Sequence, residues 1–517
     1  MAREGFAKWI IVITVITASL LELIDSTVVN VALTQIMGNL GATLEDVAWV
    51  VTAYAVANVI ILPMTGWLSA KFGRKNYFAF SIILFTVASF FCGHAENIWE
   101  LVAFRFIQGL GGGALLATSQ SILFETFKKE ERGMATAIFG IGVVLGPTLG
   151  PTLGGWITDN FSWPWIFYVN LPMGLIATIL TFTYVKDSVF HVKPPKTDWL
   201  GIFFLVVGIG ALQIVLERGA KEDWFDAPYI VGLSALSVIS IVLFIWWELQ
   251  IEHPVVDLRI LKSRQLGFGM VFTFILGFGL YAALFIFPIF VQGLLGWTAE
   301  QTGLLLMPSG LISLFVMPTV GMLIRKGFPP QYLATFGFLM FFVFTHVLSG
   351  STLGSGWNDF MWPQLLRGIG MGFMFVPITN FALSGLATKD LAQGTGLNNM
   401  MRQLGGSFGI AAVATFINSR MALHRSNLLA NINIYNPAST SRMNAFVQGF
   451  ISKGYDATAA QQMALKAMDG TVTRQSMLMS YMDNFWIVGM FFLCCIPLLI
   501  FQPNRKPVST ISSADAH

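Results

Sequence analysis

Long apolar stretches, separated by short polar segments, dominate this sequence of 517 residues. A helix needs about 20 mostly apolar residues to cross the hydrocarbon core of a bilayer. Only 11% of the residues are charged, against roughly 25% in soluble proteins, so most of the chain cannot face water. We predict an all-α integral membrane protein with fourteen spans, near residues 9–33, 47–70, 77–95, 98–124, 134–158, 165–185, 199–217, 229–248, 266–292, 302–324, 331–350, 359–384, 398–419 and 484–502.

Basic residues predict the side of the membrane that each loop faces, because cytoplasmic loops are enriched in Lys and Arg. With the N-terminus inside, the alternate loops and the termini that face the cytoplasm carry 19 of the 30 basic residues. The short outer loops carry only Arg218 and Lys221. The sequence therefore predicts a multi-pass protein of the cell (inner) membrane with both termini in the cytoplasm.

A glycine-rich motif occurs twice, eight spans apart. It begins at Arg105 in the fourth span and at Arg367 in the twelfth, and the following span is glycine-rich in both places. Two six-span halves separated by two extra helices would produce this offset, as in transporters with parallel repeats, although glycine-rich membrane helices also resemble one another by chance. We predict a 6+2+6 arrangement of transmembrane helices with a parallel pseudo-repeat. Its parts are a first half at 1–186, inserted helices at 187–255, a second half at 256–505 and a cytoplasmic tail at 506–517.

Charged residues inside the spans indicate a functional site, since each costs about 2.5–3.5 kcal/mol to insert. Glu22 and Asp25 are three residues apart on one helical face, and Arg105 lies at a similar depth, so the three are expected to meet. They form either an ion pair that fixes helix packing or a proton site, since neighbouring acids favour protonation of one another and an arginine opposes it. We favour Asp25 as the proton carrier, with Glu22 as its partner or as a cation-attracting wall.

The second half lacks this arrangement. Arg367 lies at a depth similar to that of Arg105, but the ninth span, 266–292, contains no Asp or Glu. We therefore expect proton coupling to be confined to the first half.

Seven motifs follow one another along the chain: Leu23 to Leu33, Gly66 to Lys75, Arg105 with Gln108 and Gly109, Gly142 to Gly155, Trp165 to Gly174, Leu216 to Gly219, and Arg402 to Ser407. In this order and with this topology, they resemble the fourteen-span drug:proton antiporters of the major facilitator superfamily, in the EmrB/QacA-type group. Two positions depart from the group's pattern: Ala70 stands where an acid is usual, and Pro164 where an arginine is common.

The resemblance implies a proton-coupled exporter of lipophilic, often cationic drugs, with no cofactor and no enzymatic activity. Candidate substrate contacts on the inner faces of the spans are Asn30, Gln108, Arg367, Asn380 and Asn398, although each amide could equally bond to a neighbouring helix. Residues expected in gating and helix packing are Gly66, Lys71, Gly73, Arg74, Lys75, Gly142, Gly146, Pro147, Gly150, Pro151, Gly154 and Gly155.

The physical reasons for the gating assignment differ between the fifth span and the loop. Small residues let helix backbones approach closely and prolines can kink a helix. A bent, smooth fifth span is therefore expected to pack on its counterpart in the other half. Lys71, Arg74 and Lys75 either latch the inner gate or anchor the topology.

Motifs of other function classes are missing from the sequence. It contains no Gly-Lys pair for a phosphate-binding loop and no His-Glu-x-x-His motif. The six histidines are scattered, the three cysteines lie in apolar runs, and a net charge of +3 does not indicate nucleic-acid binding. No metal site is therefore predicted.

Two alternatives to drug export stay open. One is export of a single metabolite, such as a lipid, siderophore or antibiotic. The other is a main role in assembly with a periplasmic adaptor protein of the membrane-fusion type. Residues 420–483 are the long outer loop and form either a helical cap over the outer mouth or the docking surface for that adaptor. Asp456 is expected to cap a helix that runs through Lys466.

Overall fold

A computed structural model describes residues 2–128, 131–187 and 196–500, so the predicted tail 506–517 lies outside the described residues. The α-helices in these ranges are α1 (Ala2–Leu40), α2 (Leu44–Phe72), α3 (Arg74–Gly93), α4 (Ile98–Thr126), α5 (Arg132–Asn160), α6 (Trp165–Tyr168), α7 (Asn170–Tyr184), α8 (Trp199–Arg218), α9 (Pro228–Gln250), α10 (Arg264–Pro288), α11 (Ala299–Arg325), α12 (Pro330–Leu348), α13 (Trp357–Ser384), α14 (Leu391–Ala430), α15 (Pro437–Ile451) and α16 (Ala457–Ile500).

Thirteen helices within the described ranges are long and apolar enough to cross a membrane, with α6 and α7 together forming one of them. The thirteenth predicted span corresponds to α14, which has 40 residues but carries Asn398, Asn399 and Arg402 in its first third. These polar side chains lower its hydropathy although the helix is long enough to span. The predicted all-α membrane architecture is confirmed.

Helix packing repeats along the chain. Helix α1 packs on α5 as α10 packs on α14, and α2 and α3 pack on α4 as α11 and α12 pack on α13. Helix α7 contacts α1 and α3 as α16 contacts α10 and α12. We call α1–α7 the first group, and α10–α14 with α16 the second group. The same pairings in the same order are what a parallel repeat produces.

The two groups meet mainly through two helix pairs, α5 with α11 and α2 with α14. Helices α8 and α9 pack on each other, and α8 also contacts α2 and α14. There the amide of Gln213 donates a hydrogen bond of 2.8 Å to the hydroxyl of Ser407. The α8–α9 pair therefore lies beside the junction of the two groups.

The segment 420–483 consists largely of helix. Asp456 accepts hydrogen bonds from the backbone N–H groups of Thr458 and Ala459, at 2.9 and 3.0 Å, so the predicted cap is confirmed. The helix does not end at Lys466, however, but continues through the last span, because small or apolar residues at helical spacing, including Ala464, give it a buried face. We call the end of the bundle that carries α15 the α15 side, and the opposite end the Lys71 side.

Candidate functional site

The acid predicted to carry the proton pairs with the arginine predicted to lie beside it. Asp25 Oδ2 and Arg105 Nη1 are 2.5 Å apart, and these side chains are 0% and 1% exposed. Asp25 Oδ1 accepts hydrogen bonds from the amides of Gln108, at 2.9 Å, and Asn170, at 2.8 Å. Helices α1, α4 and α7 thus converge on one buried carboxyl group.

Arg105 has further partners besides Asp25. Its Nη1 donates to Gln108 Oε1 at 2.7 Å, and its Nε donates to the carbonyl oxygen of Val50 at 3.3 Å. The guanidinium also lies 4.0 Å from the ring centre of Tyr54, within the range of a cation–π interaction. The guanidinium of Arg105 would therefore keep several contacts if Asp25 lost its charge.

Two members of this Asp25 cluster were not predicted as site residues. The hydroxyl of Ser89 accepts from Gln108 at 3.1 Å and from Asn170 at 3.0 Å, and donates to the carbonyl oxygen of Phe167 at 3.0 Å. Asn170 lies within the motif Trp165 to Gly174, which could have indicated it. Ser89 carries no sequence signal, since serine is common in membrane helices.

Glu22 bonds to a different side chain from those that bind Asp25. Three residues turn a helix by about 300°, so the side chains of Glu22 and Asp25 diverge by roughly 60°. Glu22 Oε1 accepts a hydrogen bond of 3.0 Å from Asn58, and its charge interacts with that of Arg402 in the second group. Glu22 therefore faces the junction of the groups, whereas Asp25 points into the first group.

Arg367, the counterpart of Arg105, has a different environment. Its Nη2 donates to the hydroxyl of Ser309 at 2.5 Å, and its Nη1 has no hydrogen-bond partner among the described residues. Helix α10 offers no acid to pair with it. The two groups therefore share a backbone repeat, but only the first group pairs this arginine with an acid of its first helix.

The structure separates the predicted substrate contacts. Gln108 belongs to the Asp25 cluster, and Asn398 accepts a hydrogen bond of 2.8 Å from Thr273 within the second group. Asn30 is exposed and Asn380 is half-buried. Within the described ranges, no group of three or more His, Cys, Asp or Glu side chains is arranged to hold a metal ion.

Close backbone contacts join the groups at the Lys71 side. A Cβ atom on Gly66 would lie 2.7 Å from the Cα of Gln393, and one on Gly396 would lie 2.5 Å from the carbonyl oxygen of Leu62. Of the predicted gating residues, Gly66 therefore lies directly between α2 and α14.

The glycines of the α5 motif pack within the first group. A Cβ on Gly154 would lie 2.9 Å from the carbonyl oxygen of Val28 in α1, and Gly146 and Gly150 also face α1, whereas Gly142 has open space to 3.8 Å. The expectation that these glycines pack on the counterpart of α5 in the other half is therefore wrong. A different face of α5, which includes Gly133, meets α11 of the second group. Helix α5 remains continuous through its motif, including the prolines and the buried Gly155. The prolines are Pro147 and Pro151.

The loop motif between α2 and α3 joins helix ends. Gly73 adopts a positive φ of 85°, which glycine reaches without a steric penalty. The neighbouring charges contact α4, α7 and the segment before α8: Arg74 Nη1 with Glu125 Oε2 at 2.5 Å, Lys75 Nζ with the Phe182 carbonyl oxygen at 2.8 Å, and Lys71 Nζ with Thr197 Oγ1 at 2.9 Å. The first two contacts join helices of the first group to one another, and the third joins the first group to the segment before α8.

Comparison with known proteins gives consistent similarities. Residues 15–410 match the sequence profile of the Major Facilitator Superfamily. The chain is 34% identical to the multidrug export protein EmrB of Escherichia coli (strain K12), over 96% of both chains. It is 33% identical to the fatty acid resistance protein FarB of Neisseria gonorrhoeae, over 93% of both. Its fold is similar to that of the proton:xylose symporter XylE, with a TM-score of 0.58 and 14% identity, over 96% of this chain and 97% of the other.

Proposed function

Because this chain belongs to the major facilitator superfamily, we propose that it is a proton-coupled antiporter that exports lipophilic, often cationic drugs or toxic compounds. The buried Asp25–Arg105 pair supports this proposal most strongly. An ionisable pair inside a membrane protein is costly, and no acid of α10 repeats it in the second group. Asp25 is the proposed proton carrier, and Glu22 is the proposed acid at the junction of the groups.

Protonation of Asp25 would change how α1 is held to α4. The neutral acid no longer balances the charge of Arg105, and a buried charge without its partner is strongly unfavourable. Arg105 would then depend on Gln108, the Val50 carbonyl oxygen and the Tyr54 ring, all of which it already contacts. The same helix carries Glu22 against the second group, so a shift of α1 would reach the junction.

The proton gradient supplies enough energy for such export. One proton that crosses 100 mV yields about 2.3 kcal/mol, and one pH unit adds about 1.4 kcal/mol. Their sum would hold a neutral solute at a gradient of roughly a few hundred-fold. No nucleotide is required.

We predict that lipophilic cations trigger proton release from energised inside-out vesicles that contain the protein. The measurement is the fluorescence of a lumenal pH dye after addition of tetraphenylphosphonium or ethidium, with empty vesicles as the control. Uptake of the cations without proton release would contradict proton coupling.

Export of one carboxylate lipid is the second candidate. Arg367 and Arg402 are buried in the second group, and Nη1 of each has no hydrogen-bond partner among the residues described. Such donors are suited to a carboxylate, and the name of FarB refers to fatty acid resistance. In the same vesicles, proton release by long-chain fatty acids and by none of the cations would favour this candidate. Export of a single siderophore or a single antibiotic is the same kind of function, in which the transporter is dedicated to one substrate.

We also propose that 420–483 docks a periplasmic adaptor protein of the membrane-fusion type. Ile434 and Tyr435, between α14 and α15, are 78% and 88% exposed, and large exposed apolar side chains often mark interfaces. Replacing both by Asp is expected to abolish co-purification with the adaptor, whereas Ser452→Asp on the same exposed segment should leave it intact. Unchanged co-purification in the double variant would place docking elsewhere.

The same proposal includes the orientation of the chain in the membrane and its division into two halves. The chain is a multi-pass integral membrane protein, and its Lys71 side, rich in basic residues, is proposed to face the cytoplasm with both termini. Residues 1–186 and 256–505 would rock against each other across the junction of the groups, beside the inserted helices 187–255.

A further inference from the structure

Two carboxyl groups meet at the Lys71 side of the inserted helix pair, outside the Asp25 cluster. Asp198 is the N-cap of α8, and Glu248 lies in the last turn of α9. The residues are 6% and 0% exposed. Both side chains converge on Gly201, where a Cβ atom would lie 2.7 Å from Glu248 Oε1 and closer still to Asp198 Oδ2. The two acids are therefore neighbours in a buried site.

The carboxyl group of Asp198 is surrounded by hydrogen-bond donors. Its Oδ1 accepts hydrogen bonds from the backbone N–H of Gly201, at 2.9 Å, and from the indole of Trp247, at 3.0 Å. The same indole N–H lies 3.1 Å from Oδ2. A carboxylate at an N-cap is further stabilised by the positive end of the helix dipole.

The carboxyl group of Glu248 has fewer side-chain partners than that of Asp198. Neither carboxyl oxygen has a hydrogen-bond partner of normal geometry among the described residues, although the backbone of Val255 and Val256 faces this group. The negative end of the α9 dipole lies at the same turn. Asp257, which also acts on Glu248, adds a further negative charge.

The nearby basic groups are engaged elsewhere. Lys71 donates to a hydroxyl of the segment before α8, and Arg259 donates to two carbonyl oxygens at the end of α9, at 3.3 and 2.8 Å. Among the ion pairs of the described residues, none includes Asp198 or Glu248. Among the residues that the structure describes, no ion pair therefore balances two ionised carboxylates at this place.

We propose that Asp198 and Glu248 form a second proton-binding site, in which the two neighbouring carboxyl groups hold one proton between them, on the Glu248 side. Two neighbouring buried carboxyl groups titrate as a unit, and the second ionisation is opposed by the first. Loss of the proton would leave two negative charges between α8 and α9 and weaken their contact. Because α8 also packs on α2 and α14, this site links the local proton concentration to the junction of the groups.

The first test is pH-titrated infrared difference spectroscopy of the full chain in lipid nanodiscs. Near neutral pH, we expect a protonated-carboxyl band that Glu248→Gln removes and that Glu252→Gln retains, since Glu252 is an exposed acid of the following segment. In Asp198→Asn the band should disappear at lower pH, because the negative neighbour has gone. A band that Glu248→Gln leaves unchanged would overturn the proposal.

The second test is thermal unfolding, which also shows whether the variants fold. A site that binds its proton in the folded state loses stability as pH rises. The midpoint temperature of the wild type should therefore fall as the pH rises through the range in which the pair loses its proton, and that of Glu248→Gln should fall less. An equal decline in both would contradict the proposal. Stabilisation of the wild type, but not of Glu248→Gln, by Na⁺, K⁺ or Mg²⁺ against choline at constant ionic strength would show a metal-cation site instead.

Discussion

Replacing Asp25 by Asn is expected to reduce substrate-induced proton release to the level of empty vesicles. The amide keeps the shape of the side chain and can still accept a hydrogen bond, but it cannot take up and release a proton at physiological pH. Arg105 would keep its contacts with Gln108 and the Val50 carbonyl oxygen and lose its only described counter-charge. The measurement is the lumenal pH response to lipophilic cations, at matched protein content in the membrane.

A second variant separates coupling from folding. Removing one partner of a buried ion pair costs about 3–5 kcal/mol, so Asp25→Asn alone could reduce the amount of folded protein. Asp25→Asn combined with Arg105→Gln removes both charges and should recover thermal stability without recovering proton release. Recovery of both properties would show that the pair has a structural role only.

Glu22→Gln is the matched control for Asp25→Asn, because Glu22 is the acid nearest to Asp25 along α1. Glu22 bonds to Asn58 and faces Arg402, so its loss should change the response to cationic substrates and leave proton binding at Asp25 intact. Proton release that survives in Asp25→Asn and disappears in Glu22→Gln would reverse the two proposed roles.

The sequence predicted the partner of Asp25 but not the hydrogen-bond partner of Glu22. Intramembrane charges are so few that the similar depth of Asp25 and Arg105 was sufficient to pair them. A separation of three residues placed Glu22 on the same face, but the rotation of roughly 60° between the two side chains decides which neighbours each meets. That outcome depends on the tertiary packing of α2 and α14, which no local pattern encodes.

Helix boundaries show a similar limit. The apolar stretches located the spans, yet α16 begins at Ala457, well before the predicted residue 484. Its first turns are polar enough to face water on one side, while residues such as Ala464 are buried against other helices. Hydropathy detects the membrane-facing part of a helix, and only tertiary contacts show how far the helix extends beyond it.

Glycine motifs indicate close approach without naming the partner helix. On α5, Gly154 faces α1 while Gly133 faces α11, although both are equally plain in the sequence. On α2, Gly66 faces the backbone of Gln393 in the other group. Gly66 therefore lies where the two groups must separate if they rock. A larger side chain at this position should affect transport more than it affects the fold of either group.

Gly66→Leu is expected to abolish transport by holding α2 away from α14. Any Cβ there would lie 2.7 Å from the Cα and 2.9 Å from the backbone nitrogen of Gln393, and backbone atoms cannot rotate away as a side chain can. Overpacking typically costs about 1–3 kcal/mol, and about 3 kcal/mol shifts a two-state equilibrium by more than 100-fold. Spin labels at Phe72→Cys and Lys389→Cys, both exposed at the Lys71 side, should report a longer distance than in the parent.

Gly142→Ala is the matched control, since its nearest neighbour, Ile16, is 3.8 Å from the added Cβ, an ordinary van der Waals contact. It should transport as the parent does and leave the distance between the labels unchanged. If Gly66→Leu lengthens that distance and stops transport while the protein still unfolds cooperatively, closure of α2 on α14 is a required step of the cycle. Normal transport by Gly66→Leu would mean that the contact between Gly66 and Gln393 is dispensable, and the gate would then have to lie between α5 and α11.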